Sequence, residues 1–339
     1  MKKLLTLLLA LIFVIACSFS LTACNDEEQP TLNSQINVKY YAQASDIVPM
    51  ILSGKEKIGL VPEPAATALQ KNASKQGKTL YRLDLQELYD GQTKAYPQAV
   101  LMVKKSVIGA HQGLESELQQ KIDGSVVWAK ENPALAVSSI SERGATTLQA
   151  GALNENAIDG CKIYWQNATS SKQSVKAYVN GIIEINSANA KAVSDDFFYN
   201  GQTSQNSKSS YTFITPDGAP ALAISKMMNE NDGLNTGKSI DYQVAPALQV
   251  RNALVSGSAD FVLCPVNMAS QFYKEADAND HYVMVAVVTH GNFYIISTEK
   301  ITFKDLAGKQ IAVPMKGAVP DWTFQMVAKK HGLTCATVE

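Results

Sequence analysis

Two turns carry the residues best suited to hold a ligand. Asp217-Gly218-Ala219 and Lys316-Gly317-Ala318 each follow a β-rich run, Thr212–Thr215 and Gln310–Pro314, and each leads into a proline and a helix. A helix start presents backbone N–H groups that lack intrahelical partners, so a matched pair of starts can cradle an anion or a polar oxygen. Each glycine taken alone can equally serve only a tight turn. Lys316 is placed to balance an anionic ligand. Asp217 and Glu63 are placed to meet a cationic or amine-bearing one, although Glu63 can instead cap the helix that follows it. Asn267, His290 and Asn292 add hydrogen-bonding groups, or serve as turn residues. Tyr40, Tyr41 and Phe293 are candidates for stacking on a ring, with core packing as the plainer fate.

Catalytic patterns are missing from the sequence. The histidines (His111, His281, His290, His331) are scattered without H-E-x-x-H spacing, and there is no G-x-S-x-G elbow and no phosphate loop. No cofactor or metal site is expected, and the chain reads as a binder, not an enzyme. Cys161, Cys264 and Cys335 are irregularly spaced and form no disulfide framework, and Cys264 at the end of an apolar run reads as a core residue.

The elements that must position these turns alternate strand and helix. Between Thr212 and Ser270 the order is strand, turn, helix, strand, helix, strand, turn, with the apolar run Phe261–Cys264 expected of a strand covered on both faces. A second copy is split between the two ends of the chain. Gln310–Pro320 repeats its opening, and Pro49–Pro62 repeats Asn252–Pro265 without a gap at an offset of 203 residues, Ser53 with Ser256 and Pro62 with Pro265. A repeat whose second half comes first is what a circular permutation leaves. Leu114–Glu142 reads as helix broken near Asn132-Pro133, and 156–166 and 174–185 read as two further helices. Gly201–Ser210 reads as a flexible linker.

The chain has 339 residues, 46% hydrophobic and 18% charged, enough for two lobes, and no basic face points to nucleic acid. Met1-Lys2-Lys3, the apolar run Leu4–Ile15 and Leu21-Thr22-Ala23-Cys24 form a signal peptide (residues 1–23) with a lipobox, so Cys24 is the expected lipidation site and Cys17 a weaker second candidate. Residues 24–35 read as a tether, and loss of Lys2 and Lys3 takes the formal charge from −1 to −3.

Ile58-Gly59-Leu60-Val61-Pro62-Glu63-Pro64-Ala65-Ala66-Thr67 resembles a signature of ABC-transporter substrate-binding proteins of the nitrate/sulfonate/taurine and thiamine-precursor group. Phe303–Val313 resembles their crossover segment, and Gly218–Ala223 their first strand–helix turn. The resemblance implies an α/β, two-lobed periplasmic-binding-protein-like (type II) fold, here in circularly permuted order. Residues 36–80 and 302–339 would form lobe 2, residues 81–301 lobe 1, and a domain-swapped dimer stays open. The lobes would be joined near Tyr81–Gln86 and Ser297–Phe303. The implied function is an extracytoplasmic lipoprotein, anchored to the cell membrane, that passes a small solute to an ABC permease. The solute would be an organic anion such as a sulfonate or carboxylate, or a pyrimidine-like thiamine precursor. An enzyme on the same fold and a non-transport sensor remain as alternatives.

Overall fold

The computed structural model describes residues 34–205, 208–277 and 279–338. The signal peptide, Cys17, Cys24 and nearly all of the tether lie outside them. Twelve strands form two six-stranded sheets among these residues. Sheet 1 contains β1 (Gln35–Tyr41), β2 (Ile58–Pro62), β3 (Tyr81–Asp84), β10 (Phe293–Ser297), β11 (Gln310–Pro314) and β12 (Thr334–Val338), in the order β12-β1-β11-β2-β10-β3. Sheet 2 contains β4 (Ala99–Lys104), β5 (Ile163–Asn167), β6 (Ser210–Thr215), β7 (Ser239–Val244), β8 (Phe261–Pro265) and β9 (Tyr282–Thr289), in the order β5-β9-β4-β8-β6-β7.

The two sheets repeat one pattern. In sheet 2, β7, β6 and β8 run parallel, β4 is antiparallel beside β8, and β9 follows. In sheet 1, β1, β11 and β2 run parallel, β10 is antiparallel beside β2, and β3 follows. The repeat is met again in the helices. Ala44–Ser53 and Ala247–Ser256 have ten residues each, stand 203 residues apart, and end on left-handed glycines, Gly54 at φ 78° and Gly257 at φ 67°. Only glycine takes that conformation without a Cβ penalty, which is why Ser-Gly ends both helices.

Each intercalated strand crosses from the other sheet. The chain leaves β9 at Thr289 and enters β10 at Phe293 through His290-Gly291-Asn292. It leaves β3 at Asp84 and enters β4 at Ala99. The crossings therefore lie at 290–292 and 85–98, not at Tyr81–Gln86 and Ser297–Phe303. β3 and β10 belong to sheet 1, so this lobe takes in two strands that the sequence reading gave to lobe 1. Short apolar strands carry no mark of which sheet they join. That is settled by pairing across some 200 residues, as for Tyr294 opposite Asp84 and Val61.

Three other expectations change. Residues 156–166 are not one helix: helix Glu155–Gly160 stops before Lys162, which has a positive φ of 50°, and β5 begins at Ile163. β12 is a strand the sequence reading did not place, parallel to β1 at the edge of sheet 1. The stretch read as a flexible linker is held at two points, by the Ser204 N–H on the Gly109 carbonyl (2.9 Å) and by Lys208 on Asp260 (2.6 Å).

One apolar core joins the sheets. It runs from Ile36, Val38 and Leu60 of sheet 1 to Val100, Val262 and Met284 of sheet 2. Helix Ala168–Ile185 stitches it together, burying Val175, Tyr178, Val179 and Ile182. At about 1.5–3 kcal/mol for each large apolar side chain fully buried, this one helix face is a major tie between the lobes. The strand order, met twice with reciprocal crossings, is the two-lobed periplasmic-binding-protein-like fold.

Candidate ligand-binding junction

The carboxyl ends of the parallel strands are where ligands bind in open α/β sheets. Here those ends meet around the crossings. The Tyr96 N–H donates to the His290 carbonyl (3.3 Å) and the Gln98 N–H to the Thr289 carbonyl (3.0 Å), so the two crossing segments are paired. Asn292 bridges them to sheet 1. Its side-chain amide donates to the Glu63 carbonyl (3.1 Å), its own carbonyl accepts from the Glu63 N–H (2.8 Å), and its Oδ1 accepts from Gln98 Nε2 (3.1 Å). Buried Gln86 accepts from the Phe293 N–H at 3.0 Å. Gly291 takes φ +86°, and a Cβ there would stand 2.6 Å from both Gln86 Cγ and Tyr96 Cε1. The packing leaves room only for glycine.

Glu63 is committed to structure. Its fully buried carboxylate pairs with Arg82 Nη1 (2.5 Å) and caps its own helix, accepting from the Thr67 N–H (3.0 Å) and Thr67 hydroxyl (2.6 Å). The Arg82 guanidinium lies 3.3 Å from the centre of the Tyr294 ring, and the Tyr294 hydroxyl donates to the Gly160 carbonyl (3.0 Å). A Cβ on Gly160 would come within 2.7 Å of Glu63 Cγ, so the end of helix Glu155–Gly160 sits flush on this cluster. Ile158 and Cys161 hold that helix end in the outer core of sheet 2, which makes the contact one between lobes.

The matched turns are also occupied. Asp217 accepts from the Thr146 hydroxyl (2.6 Å), the Thr147 N–H (2.7 Å) and the Thr147 hydroxyl (2.9 Å), pinning the loop after helix Pro133–Ser141. Gly218 takes φ 92° and ψ −141°, open to glycine alone, as the cap before Ala219. The Gly317 N–H is bound by Asp321 (2.8 Å), a buried carboxylate that also accepts from the Tyr40 hydroxyl (2.8 Å). Sequence reasoning missed Asp321, whose signal was its place four residues after Gly317 in the first turn of helix Val319–Lys330. Ala318 caps that helix. Lys316 is exposed, with its ammonium 5.0 Å from the centre of the Tyr40 ring. The Tyr40 and Tyr41 hydroxyls donate to Asp321 and Glu56, and Phe293 is buried in the core.

His290 and Asn267 sit where polar atoms remain unmatched. His290 is 2% exposed, with Nε2 3.3 Å from Gln166 Oε1 and Nδ1 buried without a partner. Burial lowers its pKa from 6.5 to about 3, so the ring is neutral at ordinary pH. Asn267 donates to the Asn189 carbonyl (3.2 Å), while its Oδ1 is buried and unpartnered, as is Gln98 Oε1. Buried polar atoms without partners are rare and costly, so these three stand out among the described residues. Tyr164 completes the junction. It lies flat on His290, ring centres 3.5 Å apart and planes 8° off parallel, and is itself 41% exposed. The helix expected over 156–166 hides it in the sequence, where nothing marks the start of β5 at Ile163.

Two cavities lie elsewhere. One of about 180 Å³, between Asp195, Phe198 and His281, is at the far end of β9, about 30 Å from His290 at 3.3 Å per residue. The other, about 250 Å³, lies between helices Leu114–Glu131 and Ser225–Glu230. Among the described residues no three His, Cys, Asp or Glu side chains gather to hold a metal, and no helix is long and apolar enough to cross a membrane.

No family model and no curated protein matches the sequence. Among solved structures, the chain is similar to NikA from Staphylococcus aureus in complex with Ni(L-His)2, at 10% identity and TM-score 0.33, covering 79% of this chain and 59% of that one. It is similar to the oligopeptide-binding protein AppA from Bacillus subtilis in complex with a nonapeptide, at 9% identity and TM-score 0.27, covering 78% and 57%. It is also similar to the periplasmic EDTA-binding protein EppA, at 12% identity and TM-score 0.30, covering 84% and 56%. The chain thus spans under three-fifths of the length of each. The fold assignment rests on the strand order itself.

Proposed function

We propose that this chain is a solute-binding protein of an ABC importer. On this reading it is held outside the cytoplasm by a lipid on Cys24, is a circularly permuted relative of the nitrate/sulfonate/taurine and thiamine-precursor group, and delivers its solute to a permease. The supporting observation is the junction: two similar lobes, joined by two paired crossings, with unmatched buried polar atoms of Gln98, Asn267 and His290 between them. Two lobes on such a joint can close around a small molecule. Of the solute classes expected, the pyrimidine-like heterocycle fits this junction better than the sulfonate or carboxylate. The N–H of Gly317 is already bonded, Lys316 is at the exposed rim, and His290 is uncharged.

The test is thermal denaturation of the full chain after release from the membrane, with mass spectrometry of small molecules that co-purify. A ligand that binds only the folded form at a hundred times its Kd stabilises by about 2.7 kcal/mol. A co-purifying small molecule that raises the Tm on re-addition supports the reading. No co-purifying molecule, and no shift with any member of a panel of small polar metabolites, removes it.

A further inference from the structure

The cavity at the far end of β9 has fixed walls. His281 and Val283 stand on one side, at the start of β9. On another the chain leaves β4 at Lys105, whose backbone N–H donates to the His281 carbonyl (3.0 Å). The third wall is the segment 195–202. Its Phe198 bridges Met284 of β9, and the Tyr199 N–H donates to the Met284 carbonyl (2.9 Å). The walls enclose about 180 Å³, and an apolar cavity of about 150 Å³ is enough to hold benzene. Phe198 and Val283, both buried, make part of the lining apolar.

The lysines and aspartates around this cavity are committed to partners, with one exception. Asp195 takes both Lys172 (2.9 Å) and Lys176 (2.8 Å), and Asp196 takes Lys274. Asp280 is held by the Ser106 N–H and hydroxyl, each at 2.7 Å. Lys105 lines the cavity, is partly buried, and enters no ion pair or side-chain hydrogen bond among the described residues. With Lys105, the lysines outnumber the aspartates, so the surroundings are net positive. A partly desolvated cation without a counter-ion gains from a ligand that brings one.

We propose that this cavity is a second ligand site, for a small monocarboxylate whose apolar tail lies against Phe198 and Val283 and whose carboxylate pairs with Lys105. One unpaired cation suits one negative charge, an amine would meet Lys105 as a like charge, and the volume limits the tail to about the size of a benzene ring. The cavity is about 30 Å from His290, so the site stands or falls independently of the solute-binding reading.

The experiment follows histidine-selective NMR spectra of the full chain titrated with butyrate and benzoate, and with benzyl alcohol and benzylamine as uncharged and cationic counterparts. The His281 signal, identified as the one that His281→Gln removes, reports from the cavity wall. Butyrate or benzoate should shift it saturably at millimolar concentrations while the His290 signal stays in place. Benzyl alcohol and benzylamine should bind at least about fivefold more weakly, Lys105→Met should weaken the carboxylate by the same factor, and Lys105→Arg should restore it. Fivefold is about 1 kcal/mol, the upper end for an ion pair at a partly open site. No saturable shift of His281 with either carboxylate overturns the site, as does a response at His290 alone. Benzyl alcohol binding as tightly as benzoate, or Lys105→Met binding like the parent, overturns the pairing with Lys105. Melting curves check that the Lys105 variants fold, and if Lys105→Met does not, the comparison of the probes in the parent decides.

Discussion

Arg82→Ala tests whether the buried carboxylate of Glu63 is held by the partners seen here. The Glu63 side chain is 0% exposed and has three contacts, Arg82 at 2.5 Å and two from Thr67. Removing Arg82 leaves a buried charge with Thr67 as its remaining partner. Breaking a buried pair from one side costs about 3–5 kcal/mol, and the 26% exposure of Arg82 puts this case at the low end, about 3 kcal/mol. Loss of the contact with Tyr294 adds about 0.5–1 kcal/mol. At roughly 2 °C per kcal/mol for a chain of this size, the Tm should fall by about 7–8 °C. Urea denaturation of the single variants and of Arg82→Ala/Glu63→Gln closes a double-mutant cycle. Glutamine keeps an acceptor for Thr67 but carries no charge, so the double variant should regain at least about 1 kcal/mol over Arg82→Ala. A loss under about 1 kcal/mol for Arg82→Ala, or a double variant no better than the single, would refute the argument.

Gly291→Ala should cost about 2–4 kcal/mol, from the left-handed backbone together with overlap on Gln86 and Tyr96; a urea midpoint close to that of the parent would count against a tightly packed crossing. His290 makes stability depend on pH. Its folded pKa of about 3 lies below the ordinary 6.5, so the unfolded chain binds more protons between those values and stability falls as the pH drops from 6.5 toward 3. The slope from this one group is at most about 1.4 kcal/mol per pH unit. His290→Gln should flatten the dependence between pH 6.5 and 4.5, and parallel curves for parent and variant would show that His290 is not buried in its neutral form.

What could be read from the sequence divides along a physical line. The helix–Ser-Gly–strand unit is local: apolar spacing sets the helix, glycine ends it, and the apolar run makes the strand, so its two copies were legible down to their 203-residue offset. The crossings were not, because whether Phe293–Ser297 joins sheet 1 or sheet 2 depends on partners at Ile58–Pro62 and Tyr81–Asp84. Burial hid the site in the same way. Asp217, Glu63 and Gly317 have the right chemistry at the right strand ends, yet their bonding capacity is taken by Thr146 and Thr147, by Arg82 and Thr67, and by Asp321. A sequence motif names groups able to bind, and only the fold says which have been left unbound. The groups left over, on Gln98, Asn267 and His290, follow no motif, and Gln98 meets the other two only because β4 pairs with β8 and β9, more than a hundred residues further along the chain. Such remainders can be altered without disturbing the Glu63–Arg82 pair or the crossings that join the two sheets.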